Sequence, residues 1–169
     1  MKHKQGQTVL ALDLGNSMGY ACLGVKGFAS GTVCLTRKTK DTAADRFIAF
    51  KRTLTHLRNA YGKPQIIYYE AVHRHSSSRA AHMYGGYLAF LQVTARMFDI
   101  EIGTATPGEI KKFITGRGNA NKEAVKDAVR GSLLPMVSSE DEADAVALLA
   151  LILSRDFSLN LATLIKVSK

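Results

Sequence analysis

Four carboxylic acids in this sequence stand where a negative charge is costly. Asp13 falls within an otherwise apolar run, Thr8-Val-Leu-Ala-Leu-Asp-Leu14, and Glu70 ends a second one, Gln65-Ile-Ile-Tyr-Tyr-Glu70. An unpaired buried carboxylate is expensive, so such a residue is paired, metal-bound or turned to solvent at a strand end. Either acid alone reads as an ordinary strand-end charge. On neighbouring parallel strands, however, the two would stand only about 5 Å apart, the inter-strand spacing. The other two belong to Glu140-Asp-Glu-Ala-Asp144, where four of the chain's 14 acids fall within five residues. Acids at a helix N-terminus gain roughly 0.3–1 kcal/mol each from the helix dipole, which accounts for Glu140 and in part for Asp141. Asp144 is less well explained, because Ala-Val-Ala-Leu-Leu-Ala-Leu-Ile-Leu153 follows it in a helix apolar almost all round. Asp141 and Asp144 are three apart and share a face, with Cβ atoms about 5–6 Å from each other.

Gathered together, Asp13, Glu70, Asp141 and Asp144 would repel one another unless a cation intervened. A hard divalent ion such as Mg²⁺ takes oxygen ligands and keeps waters and sites for substrate phosphates. Two such ions about 4 Å apart can activate water and stabilise the leaving oxygen in phosphodiester hydrolysis. The five histidines, His3, His56, His73, His75 and His82, form no zinc pattern. His73 and His75 alternate after Glu70 and read as a solvated loop.

Composition points to the same class of substrate. The chain has 169 residues, with 23 Lys and Arg against 14 Asp and Glu, a net charge of +9. A basic balance of this size implies a polyanionic partner, most often nucleic acid. The length fits one domain, with a core over about 8–156, a short basic N-terminal tail and a C-terminal tail of undefined state. Cys22 and Cys34 cannot build a disulfide scaffold and are expected to be buried, reduced thiols of a cytoplasmic protein. No stretch reads as a signal peptide or reaches the length of a bilayer span.

The elements that must position these acids follow from periodicity. Residues 8–14, 18–25 and 28–36 are expected to form three strands in a meander, with a hairpin around Lys26-Gly27. Phe47, Phe50, Leu54 and Leu57 repeat at helical spacing through about 41–61. A strand over 65–70 and a helix over 79–98 follow, the helix containing Gly85-Gly86. Each such glycine costs about 1 kcal/mol relative to alanine, so the pair is expected to admit a close neighbour. A strand over 100–106 then leads to Pro107 at a helix start, a second helix over 121–130 and a last one over about 140–156, capped at Ser138-Ser139. A meander followed by crossovers gives an α/β fold, a mixed sheet with helices on its faces.

With these residues in view, the sequence resembles the RuvC family of Holliday-junction resolvases, within the ribonuclease H-like superfamily. The likeness rests on Leu12-Asp13-Leu14-Gly15, the strand ending at Glu70, and Asp141-Glu-Ala-Asp144-Ala-Val-Ala before the apolar helix. It extends to Ile110-Lys111 and to Lys122 in Gly116-Arg-Gly-Asn-Ala-Asn-Lys122, and covers about 8–155.

The resemblance implies a ribonuclease H-like five-stranded mixed sheet flanked by helices. It implies that Asp13, Glu70, Asp141 and Asp144 bind Mg²⁺ or Mn²⁺, two ions per site, and that Lys122, then Lys111, stands beside the scissile phosphate. It further implies a homodimer, joined through the helix over 79–98 with Gly85-Gly86 at the contact, that nicks a four-way DNA junction symmetrically and leaves 5′-phosphate ends. Arg37, Lys38, Lys40, Arg74, Arg79, Lys111, Lys112, Arg117 and Lys122 would form the phosphate-holding face. One departure stands out. The family commonly carries an aromatic residue shortly after the strand-end glutamate, whereas Ala71-Val-His-Arg-His-Ser-Ser-Ser-Arg79 carries none. Three other functions share parts of the pattern: a related nuclease acting on RNA or other branched DNA, a junction-binding protein without chemistry, and an actin-like ATP-binding protein using Asp13-Leu-Gly-Asn-Ser17. The last needs a second domain for which 169 residues leave no room. A location in the cytoplasm with the nucleoid is expected, and neither a helicase partner nor a cleavage sequence can be named from these residues.

Overall fold

The computed structural model describes residues 7–36, 40–74 and 76–167. A three-strand meander, β1 (Val9–Asp13), β2 (Ser17–Gly24) and β3 (Gly27–Cys34), opens the fold. The chain then alternates α1 (Ala43–Tyr61), β4 (Ile66–Glu70), α2 (Ser78–Met97) and β5 (Glu101–Ala105). Four helices follow: α3 (Pro107–Thr115), α4 (Lys122–Ser132), α5 (Glu140–Phe157) and α6 (Leu161–Val167). The strands form one sheet in the order β3-β2-β1-β4-β5. The meander pairs are antiparallel, while β1 pairs with β4 and β4 with β5 in parallel. This is the mixed sheet expected from the order of elements.

Local chemistry sets the ends of these elements. Gly27, at φ 92°, opens β3 after the two-residue Val25-Lys26 turn. Thr42 caps α1 and Thr106 caps α3, each in a reciprocal capping box, with Asp45 and Glu109 as the returning acids. Asn121 caps α4 and Ser139 caps α5.

Both faces of the sheet are covered, which is why β1 has no polar alternation. Its odd-numbered residues Val9 and Ala11 join Ala21, Leu23 and Tyr68 in a core built on α5. Its even-numbered Leu10 and Leu12 join Cys22, Phe50, Ile67, Tyr69, Tyr87 and Leu91 in a second core beneath α1 and α2. Residues 145–150 of α5 are all buried, so this helix is a central beam rather than an amphipathic cover.

Three readings of the sequence change. The tail beyond Ser158 forms α6, whose Leu161 enters the α5 core. Cys34 is exposed rather than buried, because it ends β3 at the edge of the sheet, where its thiol donates to the Thr36 carbonyl. Cys22 is buried as expected, and burial pushes its thiol up to about 12. Of the glycine pair in α2, Gly86 lies against α1, where an added methyl would overlap the Phe47 ring, while Gly85 faces open space.

Candidate active site

The direction of each strand side chain follows from the period of two. Val9 and Ala11 face α5, so Asp13 at the next odd position lies on the same side. Tyr68 also faces α5, which places Glu70 there too. Leu12 is paired with Tyr69 in the parallel β1–β4 ladder, so Asp13 and Glu70 follow as the next neighbours, at the carboxyl ends of both strands. That is the juxtaposition the sequence predicts.

The remaining acids arrive on the first turn of α5, and an unusually close approach puts them there. Gly19 of β2 is paired with Asp13, and a methyl group at Gly19 would overlap the backbone carbonyl of Asp141. Only the missing side chain lets the helix start settle onto the sheet beside Asp13. Side-chain bonds then pin it. Glu142, 6% exposed, accepts from the Ser138 amide at 2.8 Å, the Ser138 hydroxyl at 2.6 Å and the Ser30 hydroxyl of β3 at 2.7 Å. Ser139 shares a hydrogen bond with Thr32, and the Ser17 hydroxyl donates to Asp141 Oδ2. Burial alone would raise the Glu142 pKa, but its hydrogen bonds from Ser138, Ser30 and Ser139 outweigh that and lower it.

Asp13, Glu70 and Asp144 behave in the opposite way. Burial, followed by the charges of Glu70, Asp144 and Asp141, raises the Asp13 pKa well above the carboxylate range, against the pull of Lys122. Burial also raises Glu70, opposed by a hydrogen bond with Asp13 and by the charges of Lys111 and Lys122. Asp144 is pushed up to about 6, by burial first and then by Glu70, with Lys122 opposing. Lys122 is the main counter-charge. Its Nζ lies 3.6 Å from Asp141 Oδ1 and 3.8 Å from Asp144 Oδ2. Burial tends to lower its pKa, but Asp144, Asp13, Asp141 and Glu140 together raise it. Negative charge therefore exceeds the positive charge available, and Asp13, Glu70 and Asp144 each bind a proton more readily than a carboxyl in water.

This donor set suits a hard divalent cation in type and charge, since it is all carboxylate, partly desolvated and short of positive charge. Among the described residues, no three His, Cys, Asp or Glu side chains are already spaced to chelate one ion. The Lys122 ammonium instead supplies the positive charge at Asp141 and Asp144.

Five of the residues singled out from the sequence, Asp13, Glu70, Asp141, Asp144 and Lys122, thus converge, and Lys111 of α3 acts on Glu70 and Asp144 through its charge. Arg74 lies exposed in the loop after β4 and Arg79 exposed in the first turn of α2. Lys112 and Arg117 are exposed at the end of α3 and just beyond it, and Lys40 is exposed ahead of α1. His73 is exposed as expected. Arg37, Lys38 and His75 lie outside the described residues. Sequence reasoning missed Ser17, Gly19 and the Glu142 anchor. A glycine inside an apolar strand, such as Gly19, signals close backbone approach and could have pointed to the helix docked over it.

A mixed sheet in the order 3-2-1-4-5, with acids at the ends of β1 and β4 and on a helix packed against them, has the ribonuclease H-like fold. The family described as crossover junction endodeoxyribonuclease RuvC matches residues 9–154, and the chain belongs to it. By family it is a junction-resolving endodeoxyribonuclease. Among solved structures it is similar to Thermus thermophilus RuvC bound to a Holliday junction substrate, at TM-score 0.68 and 20% identity, covering 84% of this chain and 90% of that one. Thermus thermophilus RuvC in a second structure gives TM-score 0.67 and 22% identity, over 88% and 96% of the two chains. The yeast mitochondrial Holliday junction resolvase Ydc2 gives 0.54 and 16%, over 88% and 78%. Comparison with curated protein sequences gives no match. At these identities the structures speak for the fold alone.

Proposed function

We propose that this chain cuts four-way DNA junctions with a divalent-metal site made of Asp13, Glu70, Asp141 and Asp144, working as a homodimer that nicks two opposed strands symmetrically. The observation that carries this reading is the convergence of two strand-end acids and two helix acids around Lys122 on one edge of the sheet. Mg²⁺, or Mn²⁺ in its place, would bind these carboxylates as two ions and supply a water acidic enough to attack phosphorus and a counter-charge for the leaving oxygen. The chain's own residues do the rest. Lys122 lies at the solvent side of the cluster, its side chain 55% exposed, so its ammonium can pass from the carboxylates to a phosphate oxygen. Asp13 and Glu70, ionised only at a cost, are the strand-end carboxylates that would hold the cations. Water then adds to phosphorus, the P–O3′ bond breaks, and the strand ends become a 5′-phosphate and a 3′-hydroxyl.

Arg74 and Arg79, exposed after the strand that ends at Glu70, and Lys112 and Arg117, exposed on α3 and just beyond it, suit backbone contacts, which fix position without reading sequence. A four-way junction has near two-fold symmetry, so a two-fold dimer presents one site to each of two opposed strands. The open surface at Gly85 of α2 suits the close approach of a second copy.

The test is a mobile four-way junction incubated with Mg²⁺, with nicks mapped on all four strands. Paired nicks at symmetric positions, lost in Asp13→Asn and Asp144→Asn while junction binding persists, are the expected result. Nicking of linear duplex or RNA at equal rate, or binding lost in both folded variants, would sink the proposal.

A further inference from the structure

A second polar pocket, apart from the carboxylate cluster, lies where the first turns of α1 and α2 meet. Its volume is about 410 Å³, and Asp41, Thr42, Ala43, Arg46, Arg79 and His82 are among the residues that line it. Arg46 is the unusual member. It is only 7% exposed, and its Nε is buried with no hydrogen-bond partner among the described residues. Its Nη2 makes a single long bond, 3.4 Å, to the Asp41 carbonyl. Nε and Nη2 share one edge of the guanidinium, the edge that grips phosphate or carboxylate with two parallel hydrogen bonds. Buried donors are nearly always satisfied, and each exception needs an explanation. Here the arginine that carries the donor lines a pocket that also contains the exposed Arg79 and His82. The lining holds two guanidinium groups and one carboxylate, that of Asp41, so it is net positive. The lining draws on the first turn of α1 and the first two turns of α2.

The pocket also lies on the edge of the sheet that holds the acids. Helix α1 ends at Tyr61 just before β4 begins at Ile66, so its start lies at the carboxyl end of the strands. Helix α2 begins shortly after Glu70. Tyr84 of α2 donates to the Glu70 carbonyl at 2.8 Å, and Tyr87 donates to Asn16 Oδ1 at 3.0 Å, which ties α2 to the active-site edge.

We infer that the Arg46 pocket holds a backbone phosphate of the DNA, with Arg46 as the bidentate donor and Arg79 and His82 closing over it. The inference rests on the nuclease reading for its source of phosphate and adds a contact distant from the reacting atoms. Its role is to position an arm of the substrate.

The experiment measures binding without divalent ions, from low to moderate salt, for wild type, Arg46→Gln, Arg79→Ala and His82→Ala, on a junction and on plain duplex. Loss of one phosphate contact should flatten the slope of log K against log salt by about 0.9. Arg46→Gln should do this, with binding weakened roughly tenfold. Substrates carrying one uncharged methylphosphonate supply the decisive readout. At one position the modification should weaken wild type and leave Arg46→Gln unaffected. Unchanged slopes in all three variants, or methylphosphonate effects identical in wild type and Arg46→Gln, would overturn the inference. Should Arg46→Gln not fold, the wild-type Arg46 Nε–Hε NMR signal decides: it must move when duplex is added. A signal that moves with inorganic phosphate but not with DNA would also overturn the inference, in favour of a free anion. Failure of the nuclease reading shows separately, as wild-type protein that leaves the junction uncut.

Discussion

Replacing Asp144 by asparagine should stabilise the metal-free protein and abolish cleavage, and the two effects have one origin. In the folded chain the Asp144 carboxyl titrates at about 6, against an ordinary value of 3.8, chiefly because of burial and then because of Glu70. A raised pKa means that the native state holds the proton more tightly than the unfolded state does. Stability is therefore highest below about pH 4 for this group and falls as the pH rises through 6. A shift of roughly two units, at 1.36 kcal/mol each, makes the ionised carboxylate cost up to about 3 kcal/mol at pH 7.5. The attraction of Lys122, whose side chain is half exposed, already offsets part of the cost and is included in that figure. Asparagine keeps the shape and removes the charge. Chemical denaturation in chelator at pH 7.5 should show the variant about 1–3 kcal/mol more stable, equivalent to a few degrees in Tm for a chain of this size. By about pH 3 the difference should vanish. Adding Mg²⁺ should narrow or reverse the order, because an ion bound only by the native wild type stabilises it by mass action. A variant less stable than wild type in chelator at pH 7.5 would refute the reasoning and make Asp144 a structural acid.

Glu142→Gln should act with the opposite sign, since hydrogen bonds from Ser138 and Ser30 hold the folded Glu142 pKa below its ordinary value of 4.5. The lost stability should be about 1–3 kcal/mol at neutral pH, as for a hydrogen bond to a charged group, and should shrink as the pH falls through the carboxylate range in urea titrations. Gly19→Ala should cost about 1–3 kcal/mol or more by forcing α5 off β2, and should depress junction cleavage more than junction binding in the same preparation. On the proposed dimer, Gly85→Arg should shift the protein toward monomer in light scattering while leaving its circular dichroism spectrum unchanged, whereas Gly86→Ala, aimed at the Phe47 ring, should lower stability in either state.

The sequence and the structure agree most closely where a single physical rule governs. The parity of side chains along β1 and β4 was readable because both strands are continuous apolar runs, and parity alone puts Asp13 and Glu70 on one face. The helices were readable through their caps: Ser139 and Thr106 begin α5 and α3, at or beside the points where sequence chemistry puts them. Pair contacts between distant segments were not readable in this way. The bond between Ser17 and Asp141 spans 124 residues, and that between Ser30 and Glu142 spans 112. Nothing local to either residue announces its partner. Arg46 was hidden for a related reason, since it sits in the first turns of an amphipathic helix, where an arginine is ordinarily solvated. Its distant neighbours in the pocket come from α2, a pairing between helices that no local pattern announces.

Within one helical turn of α5, acids of the same type are held in opposite electrostatic states. Glu142 lies among hydroxyl and amide donors that favour its charge, while Asp144 lies among carboxylates that oppose it. The first arrangement locks the helix to β3, and the second leaves a charge that a cation and a phosphate can satisfy. Neither works without the other. If Glu142 were repelled like Asp144, the start of the helix would lift from the sheet. If Asp144 were satisfied like Glu142, no free energy would remain to draw in a metal ion. A count of acids in Glu140-Asp-Glu-Ala-Asp144 cannot separate these roles, because the donors that distinguish them come from Ser30 on β3 and Ser138 ahead of the helix. The opposite pH dependences expected of Asp144→Asn and Glu142→Gln measure that division directly, in a single titration of the metal-free protein.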